Sequence, residues 1–474
     1  MTSHQNAAVP AADPARRRRE QIGWYFYDWA NQPFFTTVTT TFGAAYIGGL
    51  ASDSAQADTE RNGPDPCVDA AGSANNLVSC DIELLFLQLP AGVLWNYLVA
   101  TATVIQFLVL PVAGAITDRS RNKKLLLAIF AFTGATAVSM IVFAAGTNWQ
   151  LAAGMYLIGQ VSYGGSIVVY YSFLAEVAYA DERDTVSTRG WAMGYLGGGI
   201  ALALQLVLVL NHDAVGLTQT ESVRLAFLSS GIWWAGFTLI PLFRLRQHSV
   251  PRAVEPGRSP LTAGFVELGK TLRGALAFPL TLWFLGAYLI YSDGISTVVS
   301  VSAQYGTEQL GFEQDVLIIT ILVVQFLAFI GARLHGLVAE RAGAKRTIMT
   351  SLLLWIGVLV AAYHLEPGNE LMFWSVAAAI GLVLGGVMAL SRSLFSQLIP
   401  PGKEAQYFGL YLVTERGTPQ FGTALFGLIA QASGSFRPAI IALAVFFILG
   451  FLLLAFLPVR RAIRAAGNSE PAVV

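Results

Sequence analysis

Long apolar runs dominate this sequence of 474 residues. A helix that crosses a lipid bilayer needs roughly 20 mostly apolar residues, because it must cover about 30 Å of hydrocarbon. Charged residues make up 12% of the chain, about half the share usual in soluble proteins. The sequence therefore predicts an all-α membrane protein with twelve transmembrane helices, at about residues 24–50, 90–116, 123–146, 149–178, 189–210, 223–243, 277–300, 314–336, 346–365, 371–397, 406–431 and 437–458.

Lysine and arginine residues are distributed unevenly between the loops that join these runs. If the N-terminus is inside, 23 of the 29 lie in inner segments, three lie in outer segments and three lie within helices. Loops on the cytoplasmic side carry most of the positive charge in membrane proteins. We therefore expect a multi-pass protein of the plasma membrane with both termini in the cytoplasm, or of the vacuolar membrane if the source is eukaryotic.

Two polar stretches divide the chain. The first predicted outer loop, 51–89, holds both cysteines, Cys67 and Cys80. An outer loop faces an oxidising compartment, so a disulfide between them is expected, with two free thiols as the alternative. The second stretch separates six helices from six. We expect a cytoplasmic tail at 1–22, a six-helix bundle at 23–243, a cytoplasmic linker at 244–276, a second bundle at 277–458 and a tail at 459–474.

One motif occurs once in each predicted bundle, directly after its second helix. Both copies fit the pattern Gly-x-x-x-Asp/Glu-Arg, and internal repeats are typical of secondary transporters. The glycine permits close helix approach, and the acid can pair with cations or with a helix N-terminus. We expect these loops to form part of a gate, with Gly114, Asp118 and Arg119 in the first copy and Gly336, Glu340 and Arg341 in the second.

The repeated motif resembles the cytoplasmic loop motif of the major facilitator superfamily. Three further segments are similar to its vacuole effluxer-like branch: Tyr27-Asp28-Trp29-Ala30-Asn31, the stretch from Tyr288 to Gly294, and the stretch from Gly381 to Tyr411. The resemblance covers nearly all of residues 22–458. It implies a major facilitator fold of two six-helix bundles and transport of a small polar or amphipathic, amino-acid-like solute by alternating access.

Polar side chains within the predicted helices are the candidates for binding solute or protons, because a charge inside the membrane is costly and is functional by default. For the two aspartates the alternative is a structural hydrogen-bond acceptor at a kink, and for the tyrosines it is packing. Adjacent residues point about 100° apart on a helix, so Glu415 and Arg416 need separate partners. The candidates are Asp28, Asn31, Gln160, Tyr163, Tyr291, Asp293, Glu415 and Arg416.

Two further charged residues lie near inner helix ends, Glu176 in the fourth predicted helix and Arg392 in the tenth. We expect them to pair across the two bundles and to close the inner gate. The alternative is that both side chains extend to the membrane surface.

Other classes of protein fit the sequence poorly. The five histidines are scattered and there are two cysteines, so no metal or other cofactor is expected. Zero net charge gives no basis for binding nucleic acid. No cluster of catalytic residues indicates an enzyme. We therefore expect a monomeric, proton-coupled transporter in the lipid bilayer, with an uncoupled facilitator, a solute sensor that does not transport and, less favoured, a membrane enzyme as alternatives.

Overall fold

The computed structural model describes residues 13–68, 73, 75–84, 87–249, 273–417 and 419–474. The start of the predicted N-terminal tail and most of the predicted linker, residues 250–272, lie outside these ranges. The exact boundaries predicted for the two bundles therefore stay predictions. Below, the N-terminal half means the described residues up to 249, and the C-terminal half means those from 273 onwards.

The N-terminal half consists mainly of helices. They are α1 (Pro14–Pro33), α2 (Gly43–Ala57), α3 (Thr59–Asn62), α4 (Leu94–Arg119), α5 (Lys123–Met140), α6 (Trp149–Ser172), α7 (Leu174–Val177), α8 (Arg183–Leu210) and α9 (Gln219–Arg244). A short antiparallel hairpin, β1 (Asp81–Leu84) and β2 (Leu87–Pro90), lies in the predicted outer loop, and Asp81 is in register with Pro90. In the same loop a disulfide joins Cys67 to Cys80.

The C-terminal half is helical throughout its described length. Its helices are α10 (Pro279–Gln304), α11 (Gln314–Ala342), α12 (Ala344–Tyr363), α13 (Glu370–Gln397), α14 (Glu404–Gly417), α15 (Pro419–Ser433), α16 (Phe436–Ala442), α17 (Ala444–Phe456) and α18 (Val459–Ala466). Asparagine side chains begin equivalent helices in the two halves. Asn148 accepts a hydrogen bond from the third residue of α6, and Asn369 does the same for α13.

Ten segments of the described chain are long and apolar enough to cross a membrane. The other two predicted spans are 24–50 and 406–431. The first passes through a π-helical segment, Phe34–Phe42, between α1 and α2. Pro33 precedes this segment and lacks the backbone N–H of a regular helix. The second is covered by α14 and α15, which lie on either side of position 418, outside the described residues.

The two halves contact each other closely at one end of the molecule. We call this the motif end, defined by the repeated loops at 114–124 and 336–346, and we call the opposite end, which carries β1 and β2, the hairpin end. A methyl group on Gly114 of α4 would lie 2.4 Å from the Ala405 carbonyl oxygen of α14, so these helices nearly touch. At the hairpin end a cavity of about 760 Å³ lies between α10 and α15. The structure is therefore closed at the motif end.

Candidate transport site and gate

Glu415 and Arg416 lie next to each other near the end of α14, about 16 Å along the helix from Glu404. Their nearest partners lie in different halves. Glu415 accepts a hydrogen bond of 2.6 Å from the Tyr288 hydroxyl of the C-terminal half. The Arg416 guanidinium lies 4.7 Å from the ring centre of Tyr163 in the N-terminal half. Within the described chain, neither charge has an ion-pair partner within 4 Å.

Tyrosine rings surround these two charges. Tyr288 stacks on Tyr411 with ring centres 4.2 Å apart, and Tyr411 meets Tyr171 of the other half at 6.4 Å. Tyr291 is also buried, but its hydroxyl hydrogen-bonds to the Ser391 hydroxyl at 2.7 Å. Aromatic rings from both halves thus surround Glu415 and Arg416 at the centre of the molecule.

Of the remaining candidates, Gln160 satisfies only part of its hydrogen-bonding capacity. Gln160 donates to the Tyr156 hydroxyl at 3.3 Å, while its side-chain oxygen is buried without a partner. The Arg416 Nε and the Tyr27 hydroxyl are also buried and unpartnered. Asn31 donates at 2.6 Å to the Tyr27 carbonyl of its own helix. Buried polar atoms are almost always paired, so the unpaired ones mark places where a ligand or water can bind.

Asp293 has a different environment. Its carboxylate accepts hydrogen bonds from the backbone N–H of Gly422 at 3.1 Å and from the Thr297 hydroxyl at 3.4 Å. Asp293 therefore links α10 to the backbone of α15. It acts here as a hydrogen-bond acceptor, which is the kind of role that the structural alternative assigns to it.

Asp28 and Arg392 form the ion pair that joins the two halves. The Arg392 Nη1 lies 3.3 Å from the Asp28 Oδ2, which also accepts a 2.7 Å hydrogen bond from the Tyr170 hydroxyl. Arg392 is completely buried. Its Nε and Nη2 donate to the side chain and the carbonyl of Ser187, at 2.9 and 2.8 Å.

The predicted pairing of Arg392 with Glu176 was wrong. Glu176 binds Lys123 at 2.7 Å inside the N-terminal half. It also accepts hydrogen bonds from the backbone N–H groups of His248 and Ser249, which lie in the predicted linker shortly after α9. Glu176 has satisfied its charge and its lone pairs locally. It therefore anchors the beginning of the linker and has no partner in the C-terminal half.

The first copy of the repeated motif closes the motif end. Both oxygens of Asp118 accept backbone hydrogen bonds of 2.9 Å, from Ala405 and Gln406 in the first turn of α14. A carboxylate is favourable there because the helix N-terminus carries unpaired N–H groups and partial positive charge. Gly114 permits the close approach, and Arg119 lies half-buried at the end of α4.

The second copy makes a weaker contact with the start of α8. Glu340 is exposed and accepts one hydrogen bond, of 2.8 Å, from the Thr185 hydroxyl. A methyl group on Gly336 would meet the Thr188 side chain at 2.4 Å, and Arg341 is exposed. The two copies therefore occupy equivalent places but make unequal contacts.

This inequality predicts unequal mutational effects. Asp118→Asn removes the charge and one of two acceptors at a buried helix start, which costs about 1–2 kcal/mol. We expect a roughly five- to thirtyfold shift toward a state open at the motif end, whereas Glu340→Gln, the matched control, should shift it by less than about threefold. The rate at which maleimide labels a Ser393→Cys thiol measures this, because Ser393 is fully buried and faces Asp184 of the other half. Equal rates in the two variants would contradict the assignment.

Several contacting residues were not predicted from the sequence. Besides Ser187, the gate contains Arg183, which donates to the Ser396 carbonyl at 3.0 Å, and Asp184, which accepts from Ser393. Trp24 lies one helical turn before Asp28 on the same face of α1, and this spacing was the available signal. Within the described chain, no group of three or more His, Cys, Asp or Glu side chains could hold a metal ion.

Comparisons with known proteins agree with this architecture. Residues 16–467 match the family described as vacuole effluxer Atg22 like. The chain is 27% identical over 445 residues to the "Uncharacterized MFS-type transporter YxiO" of Bacillus subtilis, covering 94% of this chain and 96% of that protein. It is 24% identical over 544 residues to "Autophagy-related protein 22-1" of Penicillium rubens, covering 95% of this chain and 91% of that protein.

Solved structures show the same fold at low sequence identity. The human organic anion transporter MFSD10 superposes with a TM-score of 0.63 at 14% identity, covering 93% of this chain and all of that one. The Escherichia coli fucose:proton symporter FucP gives a TM-score of 0.61 at 13% identity, covering 93% and 98%. The predicted major facilitator fold is confirmed, and it is the fold of a multi-pass membrane transporter. The chain belongs to the vacuole effluxer Atg22-like family within the major facilitator superfamily.

Proposed function

We propose that this transporter moves a zwitterionic, amino-acid-like solute by alternating access, in a cycle coupled to protons. The observation that carries the proposal is the pair of adjacent, opposite charges, Glu415 and Arg416, in the tyrosine-lined centre. A charge buried in a membrane protein needs compensation. A solute with one carboxylate and one ammonium group would supply it to both residues at once.

The surroundings of the two charges support this assignment. The Arg416 Nε is a buried donor without a hydrogen-bond partner in the described chain. That donor suits a carboxylate, since guanidinium groups bind carboxylates through parallel hydrogen bonds. Glu415 has a hydroxyl partner in Tyr288 but no cation within 4 Å in the described chain. It suits an ammonium group or a proton, and the tyrosine rings suit an apolar side chain.

Recognition of the carboxylate can be tested by replacing Arg416. Arg416→Gln should weaken binding of amino acids about tenfold to a hundredfold, because hydrogen bonds to charged groups are worth roughly 1.5–3 kcal/mol. The matching amino-acid amides lack the carboxylate and should bind both proteins similarly. Thermal stabilisation of purified protein by a panel of amino acids and their amides measures both affinities. An equal loss of affinity for amino acids and their amides would mean that Arg416 supports the fold and does not bind the carboxylate.

Proton coupling requires a carboxyl group that can exchange protons during the cycle. Asp293 and Glu415 are the two candidates, and the backbone hydrogen bond that Asp293 accepts from Gly422 makes Glu415 the stronger one. Glu415→Gln should abolish accumulation driven by a pH gradient in proteoliposomes while some solute exchange remains. Asp293→Asn should lower both activities together, because it loosens the contact between α10 and α15.

The same flux measurements decide between the alternatives. Normal gradient-driven accumulation in both variants would favour an uncoupled facilitator. Solute binding without any flux would favour a sensor. Loss of accumulation in Asp293→Asn alone would assign the coupling role to Asp293.

We also propose that the motif end is cytoplasmic and that the protein acts as a monomer in the plasma membrane. The excess of lysine and arginine in the loops of that end supports the orientation. For a eukaryotic source, the vacuolar membrane is the alternative location.

A further inference from the structure

Arg392 belongs to the C-terminal half, yet every partner of its side chain lies in the N-terminal half. Asp28 supplies the carboxylate, and Ser187 supplies a hydroxyl and a carbonyl oxygen. Hydrogen bonds and the ion pair thus all cross from one half to the other. In alternating access the two halves must separate at the motif end, and the guanidinium must then leave this place.

Four aromatic rings complete the place that Arg392 occupies. Its guanidinium carbon lies 4.6 Å from the ring centre of Trp24, 4.7 Å from Tyr171, 5.6 Å from Trp191 and 5.7 Å from Tyr170. All four rings belong to the N-terminal half. We call them, together with Asp28 and Ser187, the cation box. Cations over aromatic faces are attracted by the ring electrons, most strongly where water is excluded.

The cation box is held together without Arg392. Trp24 stacks on Tyr170 with ring centres 4.5 Å apart, and its indole N–H donates to the Tyr170 carbonyl at 3.0 Å. The Tyr170 hydroxyl fixes Asp28. Gly190 lets these groups approach, since a methyl group there would lie 2.6 Å from Trp24 and 2.8 Å from the Asp28 carboxylate. The N-terminal half therefore carries a ready-made site for an organic cation.

We propose that the cation box binds the ammonium or guanidinium group of a solute when the motif end is open, and that Arg392 occupies this site when the motif end is closed. The proposal rests on the alternating access proposed above and adds a second subsite to the centre. When Arg392 withdraws, Asp28 and the Ser187 carbonyl lose their cation, and a solute cation can replace it. A cation bound there competes with Arg392 and hence favours the open motif end.

The first test follows the open state directly, without a transport assay. A Ser393→Cys protein has one free thiol, because both native cysteines are in the disulfide. Ethylguanidinium applied at ten times its dissociation constant should raise the rate of maleimide labelling by up to about tenfold. Ethylurea, which is neutral and of similar shape, should leave the rate unchanged. Equal effects of the two compounds, or no effect of either, would overturn the proposal.

The second test removes the Arg392 side chain from the cation box. Ethylguanidinium should raise the thermal unfolding midpoint of an Arg392→Ala protein, and the effect should disappear in Asp28→Asn/Arg392→Ala. Arg437→Ala is the matched control, because it removes an arginine that donates to the Leu365 carbonyl and has no carboxylate within 4 Å in the described chain. Stabilisation of Arg437→Ala as large as that of Arg392→Ala would also overturn the proposal.

These tests separate the cation box from the proposed transport function. If ethylguanidinium acts as expected but no amino acid is transported, the proposed substrate fails and the cation box stands. If amino acids are transported but ethylguanidinium acts no differently from ethylurea, the cation box fails and the transport function stands.

Discussion

Replacing Asp28 by asparagine should open the motif end, because it leaves Arg392 buried without an anion. Removing one partner of a buried ion pair typically costs 3–5 kcal/mol, since the remaining charge is uncompensated. Arg392 is fully buried and has no second carboxylate within 4 Å in the described chain, so we expect a cost within that range. The population open at the motif end should rise by about a hundredfold or more. Maleimide labelling of the Ser393→Cys thiol measures the change.

A double variant supplies the control for this prediction. Asp28→Asn/Arg392→Gln removes both charges and leaves side chains that can still form hydrogen bonds, so its labelling rate should fall back toward that of the parent protein. The double variant should cost less than the sum of the two single variants, by more than about 1 kcal/mol, because the residues are in direct contact. Independent effects of the two substitutions would show that the ion pair does not keep the motif end closed.

The sequence alone singled out the charged residues where the two halves meet but not how they pair. Asp28 and Arg392 stood out because they lie within apolar helices, and this required no structure. Glu176 and Arg392 both lie near helix ends that face the same side, and this similarity suggested a pair. Their actual partners, Lys123 and Asp28, depend on how α5 and α1 pack against α7 and α13. Pairing across 364 positions of sequence is set by packing, which local patterns do not encode.

The central site was predicted in a similar way. Glu415 and Arg416 were expected to have separate partners because of the helical period, and the structure places those partners in different halves. The partner of Asp293 could not be inferred, because it is the backbone N–H of Gly422, 129 positions away in the sequence. A backbone group leaves no mark in a sequence pattern, and only the packing of α10 against α15 brings the two together.

The glycine of the first motif copy gives the second large expected effect. In a Gly114→Ala protein the new methyl group would lie 2.4 Å from the Ala405 carbonyl oxygen, 2.8 Å from its carbonyl carbon and 2.9 Å from the Gln406 Cα. All three are backbone atoms of α14, which cannot move as a side chain does. Overpacking of this kind costs roughly 1–3 kcal/mol, and a rigid neighbour places it at the upper end. We expect about a thirtyfold to hundredfold loss of the closed motif end and a comparable loss of turnover.

Two other glycines provide graded controls for this prediction. Gly336→Ala would meet the hydroxyl of Thr188 at 2.4 Å, and that side chain can rotate away, so its effect should be several times smaller. Gly154→Ala in α6 has no atom within 4 Å of the new methyl group and should behave like the parent protein. The labelling rate of the Ser393→Cys thiol and the turnover in proteoliposomes should therefore both change in the order Gly114→Ala, Gly336→Ala, Gly154→Ala. A Gly114→Ala protein that closes and turns over normally would show that α4 and α14 separate further than this structure requires, and that the first motif copy does not determine closure.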